Sequence, residues 1–140
     1  MNNDLQQKLY GKYPTLFRQK DLSMSQTCMC WGIECGDGWY DLIDQVCNRL
    51  LEFKGVEFMQ VKEKFGELRI YTDGLPAEYS DKVWDIIGDA TEESRTVCEV
   101  CGEPGKIRSL AWIRTLCDHH YDEAVARGGR LKDRDNDCPA

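Results

Sequence analysis

Apolar positions along the chain fall into stretches of distinct period. The clearest is Trp39, Leu42, Ile43, Val46, Cys47, Leu50 and Leu51, which recur at i, i+3, i+4, i+7, i+8, i+11 and i+12 and line one face of an α-helix. Gly36, Asp37 and Gly38 lead into it, and Asp37 is expected to cap the free amides of its first turn. After Gly55 the run VEFMQVKEKFGELRIYTDG alternates apolar and polar residues. Met59 with Val61 and Leu68 with Ile70 are its inward positions, Phe65 and Gly66 its turn, and the pattern is that of a β-hairpin. Its interleaved charges, Lys62, Lys64 and Arg69 beside Glu57, Glu63 and Glu67, suit cross-strand pairing on a solvated face.

A second long helix starts at Pro76 with a stripe of Tyr79, Val83, Ile86, Ile87 and Ala90, and ends in the polar run from Thr91 to Thr96. A shorter helix, Leu5 to Tyr10, closes at Gly11 and Pro14, while Arg18 to Thr27 has no period and reads as loop. The pattern therefore predicts an α+β fold in which N-terminal helices pack with a β-hairpin over residues 1–97.

The stretch CEVCGEPGKIRSLAWIRTLCDHH changes this picture. Cys98 and Cys101 form a C-x2-C pair, and after a gap of fifteen residues Cys117 and His120 form C-x2-H, the spacing that places four soft ligands around one tetrahedral zinc ion. His119 would give C-x-H instead, so His120 is the favoured fourth ligand. Gly102 follows the first pair, Lys106 to Cys117 is rich in β-branched and aromatic residues, and Tyr121, Ala124 and Val125 recur at helical spacing before Gly128 and Gly129. A knuckle, a hairpin and a helix whose first turn carries the second ligand pair describe a treble-clef module over residues 98–128, followed by a polar tail at 129–140. Four protein ligands close the shell, which makes the expected zinc structural.

Cys28, Cys30 and Cys35 invite a second metal, but C-x-C-x4-C lacks paired knuckles; the alternative is a β-like segment with small buried thiols. Cys47 lies on the apolar helix face and is assigned to the core. The D-x-D-x-D run in the tail has Cys138 where a calcium loop needs glycine, and the sequence stops before a twelfth position.

Charge narrows the partners. The chain carries 18 basic and 25 acidic side chains, a net of −7, which disfavours general attraction to nucleic acid or to anionic membrane. Residues 1–97 hold 11 basic and 17 acidic groups (net −6), and residues 98–140 hold 7 and 8 (net −1), so the zinc module is nearly neutral. No apolar run approaches the roughly twenty residues needed to span a bilayer. The polar start MNNDLQQ has no signal-peptide core, so a cytoplasmic setting with reduced thiols is expected.

Catalytic signatures are missing. There is no phosphate loop, dinucleotide fingerprint or serine elbow, and both histidines of the chain lie in the zinc motif. A treble clef brings to mind the HNH nucleases, but the hairpin from Lys106 to Leu116 has no histidine to activate water.

Taken together, GIECGDGWYDLI, VKEKFGELRIY, CEVCGEPG and WIRTLCDHH resemble a group of small uncharacterised proteins of bacteriophage and prophage genomes. The resemblance implies a bacterial host cytoplasm and an accessory role, and supplies no catalytic residue. The expected function is that of a non-catalytic, zinc-stabilised binding protein acting on a protein partner such as a host defence or regulatory protein, with Arg108, Trp112 and Arg114 as candidate contact residues. The alternative is a nucleic-acid-binding accessory protein using Lys106, Arg108, Arg114, Arg127, Arg130, Lys132 and Arg134 on phosphates; a metal-dependent hydrolase or nuclease is the residual reading.

Overall fold

The computed structural model describes residues 1–129, and the tail read in the sequence lies outside them from Arg130 onward. Helix α1 (Asn3–Lys12) is longer than its apolar pattern. The Asn2 side chain caps it by accepting from Leu5 N, and it runs through Gly11 before Tyr13 N closes it on Leu9 O. Within the stretch that reads as loop, Arg18–Asp21 forms a 3-10 turn, and a second one spans Met29–Trp31.

A two-residue strand β1 (Ile33–Glu34) then pairs in parallel with β2 (Glu57–Lys64), with helix α2 (Tyr40–Leu50) as the crossover between them. Strand β3 (Glu67–Asp73) returns antiparallel to β2, giving the order β1-β2-β3, and helix α3 (Ser80–Ser94) follows. Helices α2 and α3 pack on each other, and α3 packs along β3. The result is a mixed α+β body.

One core unites these elements. Leu9, Phe17, Trp39, Ile43, Leu50, Phe58, Val61, Leu68 and Val83 are fully buried in it. The Phe17 ring meets Tyr10 and Phe58 edge-on at 5.1 Å each, which ties the N-terminal segment to the sheet. Cys47 is buried on α2, and burial together with the Asp44 charge pushes its thiol far above the usual range, as befits a core side chain.

Three local expectations need correction. Asp37 does not cap α2: it opens a 3-10 turn (Asp37–Trp39), and its carboxylate accepts from Asn2 N at 2.7 Å and Asn2 Nδ2 at 2.9 Å. Met59 is not an inward residue. A bulge between Phe58 and Gln60 places Phe58 and Val61 in the core and leaves Met59 at the surface. The charges on the hairpin do not all alternate in sign across it either, because Lys62 stands opposite Arg69; Glu34 flanks Lys62 in the register, and Glu67 pairs with Arg69 at 3.0 Å.

Residues 95–129 form a second, smaller cluster. A turn carries Cys98 and Cys101, strands β4 (Lys106–Ser109) and β5 (Ile113–Leu116) pair antiparallel, and helix α4 (Asp118–Ala126) follows. Cys98, Leu116 and Ala124 are its buried centre, whereas Val125 is exposed. Gly128 and Gly129, both at positive φ, stop α4, with Gly129 N bonded to Ala124 O.

Candidate metal centre

Cys98, Cys101, Cys117 and His120 come together, with one ligand atom from each within 4.8 Å of all the others. Two turns position them. In the first, Gly102 N donates to Cys98 O and Cys98 N to Glu103 O, which curls the chain so that both thiols face one point. In the second, Cys117 is the N-cap of α4 and its sulfur accepts from His120 N at 3.4 Å.

The geometry suits a tetrahedral ion. Sulfur and imidazole ligands at about 2.3 and 2.05 Å from a common centre stand about 3.8 Å apart for a sulfur–sulfur edge and about 3.6 Å for a sulfur–nitrogen edge. The observed edges are 3.8 Å for Cys101 Sγ to Cys117 Sγ, 3.7 Å for Cys98 Sγ to His120 Nδ1 and 3.2 Å for Cys117 Sγ to His120 Nδ1. A soft dication would also relieve the electrostatics of the cluster. Burial and the neighbouring Cys98 and Cys117 sulfurs push the Cys101 thiol up to about 11, although the Glu103 amide works against them. Burial acts the same way on Cys117, but the amides of His120 and His119 and the Cys98 and Cys101 thiols outweigh it and pull that thiol down. A Cys3His set of this shape could hold one metal ion.

His119 faces away. Its side chain is 74% exposed and its Nε2 lies 3.3 Å from Glu123 Oε1. Of the earlier cysteines, Cys35 is buried in the body, Cys28 is exposed, and the Cys30 thiol donates to Thr27 O at 3.4 Å. No family model, curated protein or solved structure matches this chain.

The site is clamped to the body through Glu99, which sequence patterns did not single out, and through residues they had given other roles. Glu99, between the two knuckle cysteines, is 2% exposed. Its carboxylate accepts from Gly36 N at 2.9 Å and from Arg114 Nη1 at 3.1 Å, and its carbonyl accepts from Gly38 N at 2.8 Å. The same Arg114 guanidinium lies 2.9 Å from Glu63 on β2. Thr115 Oγ1 donates to Gly66 O at 2.7 Å in the β2–β3 turn, and Trp39 Nε1 to Val97 O at 2.8 Å. These bonds cross residue 97 repeatedly.

Close approach explains the GDG sequence. A Cβ on Gly38 would stand 2.1 Å from Cys98 O and 2.8 Å from Cys101 N, and one on Gly36 would stand 2.3 Å from Glu99 O. The knuckle thus rests backbone-to-backbone on the corner between β1 and α2. Gly36 and Gly38 are required by this contact, not by a helix start. The available signal was a charged residue inside a C-x2-C pair together with a glycine pair some sixty positions earlier.

The three residues proposed as partner contacts divide. Arg114 is engaged internally, as above. Arg108 pairs with Asp118 at 2.6 Å, donates to Leu116 O and stacks 4.5 Å over the Tyr121 ring, so it braces β4 against α4. Trp112 is 68% exposed in the β4–β5 turn. No helix among the described residues is long and apolar enough to cross a membrane.

Proposed function

We propose that the Cys3His cluster holds one structural zinc ion in a treble-clef module, and that the chain is a non-catalytic binding protein acting on a protein partner, in keeping with its resemblance to small phage-borne proteins of the bacterial cytoplasm. Zinc suits the donor set: tetrahedral thiolate and imidazole donors select it over hard oxygen-seeking ions. With four protein ligands no position is left for water or substrate, so the ion orders structure and the surrounding surface does the work.

One observation carries the binding role. Phe65, at the tip of the β2–β3 hairpin, is held at φ 55 and its side chain is 63% exposed. A bulky residue in the left-handed region costs about 1–3 kcal/mol relative to glycine or asparagine there, and such strain collects at functional positions. The two-residue turn between Lys64 and Glu67 needs a positive φ at both central positions, which suits asparagine or glycine; a phenylalanine there instead exposes an aromatic ring, with Lys64 Nζ 5.5 Å from its centroid. The adjoining Gly66 lies beside Ile113 of β5, where an added Cβ would stand 3.3 Å from Ile113 Cγ2, and Ile113, Ile107 of β4 and Trp112 in the β4–β5 turn are exposed as well. The exposed apolar residues of the hairpin tip and of the β4–β5 hairpin are the kind of side chains that mark protein–protein contact.

Capture from bacterial lysate on immobilised wild-type and Phe65→Asn chains tests the reading. A stoichiometric protein retained by the wild type and lost from Phe65→Asn is expected. Equal retention, or recovery of nucleic acid that elutes with modest salt, would overturn it.

A further inference from the structure

A cleft between α1 and the Met29–Trp31 turn has a volume of about 460 Å³, and Gln6, Gln7, Tyr10, Lys20, Asp21 and Trp31 are among the residues that line it. This size lies within the range of small-molecule sites. Its wall is a helical stripe, since Asn3, Gln6, Gln7 and Tyr10 stand at i, i+3, i+4 and i+7 of α1. Tyr10 and Gln6 also serve the fold, through the Phe17 ring and the Ile33 amide, whereas the exposed Asn3 and Gln7 carboxamides do not reach the core.

The floor is built and satisfied. Gln6 Oε1 accepts from Ile33 N and from the Tyr10 hydroxyl, each at 3.0 Å, and Gln6 Nε2 donates to Met1 O at 2.7 Å. Gly32, at φ 77, lets the chain pass beneath; a Cβ there would stand 2.4 Å from Gln6 Oε1. Burial and the Asp21 charge push the Tyr10 phenol up to about 12, so it stays neutral. Trp31 lies across from the stripe with 63% of its surface exposed.

We propose that this cleft binds a neutral saccharide. An exposed indole offers a flat face for the C–H side of a pyranose ring, and beside it the Gln7 Nε2 to Asn3 Oδ1 bond at 3.4 Å leaves Asn3 Nδ2 as a donor and Gln7 Oε1 as an acceptor for its hydroxyl groups. Charge selects against phosphorylated ligands: Lys20, the cation of the cleft, is already 2.7 Å from Asp21, and the chain as a whole is at −7. The inference is independent of the metal site and of the apolar surface around Phe65.

The test is a titration of the full chain, followed by amide and indole NMR shifts, with maltotriose, lactose and chitotriose, and with adenosine as an aromatic ligand that lacks the polyol. Shifts confined to Asn3, Gln7, Tyr10 and the Trp31 indole, saturating at millimolar saccharide and lost in Trp31→Ala and Gln7→Ala, are expected. Trp31 and Gln7 are exposed, so both variants keep the fold, which the unperturbed spectrum verifies. Absence of saccharide shifts, shifts that persist in Trp31→Ala, or saturation by adenosine alone would each overturn the proposal.

Discussion

Gly38→Ala is the sharpest probe of how the metal module is joined to the body. The added methyl would stand 2.1 Å from Cys98 O, 2.6 Å from Gly102 N and 2.8 Å from Cys101 N, all backbone atoms of the knuckle. No side chain can rotate away to make room, so the knuckle must lift by an ångström or more. Lifting it stretches the bonds from Gly38 N to Glu99 O, from Gly36 N to the Glu99 carboxylate and from Trp39 Nε1 to Val97 O. Two neutral bonds at about 1 kcal/mol and one to a charged group at about 2 kcal/mol set the expected loss at about 4 kcal/mol. Because Cys98 and Cys101 belong to the displaced segment, metal affinity should fall in the same variant. Chemical denaturation reads the first effect and competition with a chromophoric chelator the second. A Gly38→Ala protein that unfolds with wild-type stability and holds metal as tightly would refute the clamp.

Four further outcomes follow from the same contacts. Gly88 lies inside α3 with open space where a Cβ would be, so Gly88→Ala should stabilise by about 1 kcal/mol, visible as a rise in melting temperature of about 3–5 °C. Glu99→Ala leaves the Arg114 guanidinium facing Glu63 alone and orphans Gly36 N, and should cost about 3 kcal/mol or more by urea unfolding; a loss under 1 kcal/mol would mean the cluster is not a unit. Phe65→Asn should raise stability by about 1 kcal/mol while abolishing partner retention, a trade that a purely structural phenylalanine would not show. Acid should act partly through Asp44 and Glu57. Burial opposes ionisation of Asp44, but bonds from Lys12 and Tyr13 outweigh it, and Arg18 holds Glu57 down. Carboxyls with folded pKa values below the unfolded ones stabilise above the ordinary carboxylate range, and that contribution fades as pH falls through the depressed values. Asp44→Asn should therefore flatten the pH dependence of stability below about pH 4 and leave its slope near neutrality unchanged.

Period and spacing made much of this molecule legible in advance. Helix α2 and the β2–β3 hairpin announce themselves because one face of each is buried, and burial imposes 3.6- and 2-residue repeats. The grouping of Cys98, Cys101, Cys117 and His120 was legible because C-x2-C and C-x2-H spacings each make a tight turn that brings two side chains to one point. What escaped was set by contacts distant in sequence. Gly36 and Gly38 look like helix punctuation until the knuckle lies on them, and Asp37 looks like a cap until Asn2 is seen to hold it. Met59 was misplaced because a bulge breaks the alternation that the pattern assumes. Arg114, with the composition of a binding hot spot, is an internal brace because two carboxylates from separate segments converge on it. The β1 strand is two residues long and exists only because α2 returns the chain to its side, so no local pattern could mark it.

The account rests on a closed Cys3His zinc centre, and metal analysis of the purified chain tests it most directly. One zinc per chain is predicted, replaceable by cobalt with the visible spectrum of a tetrahedral thiolate site, retained in His119→Ala and lost in Cys101→Ser and His120→Ala. A chain that folds without bound metal, or whose metal survives both Cys101→Ser and His120→Ala, would contradict it.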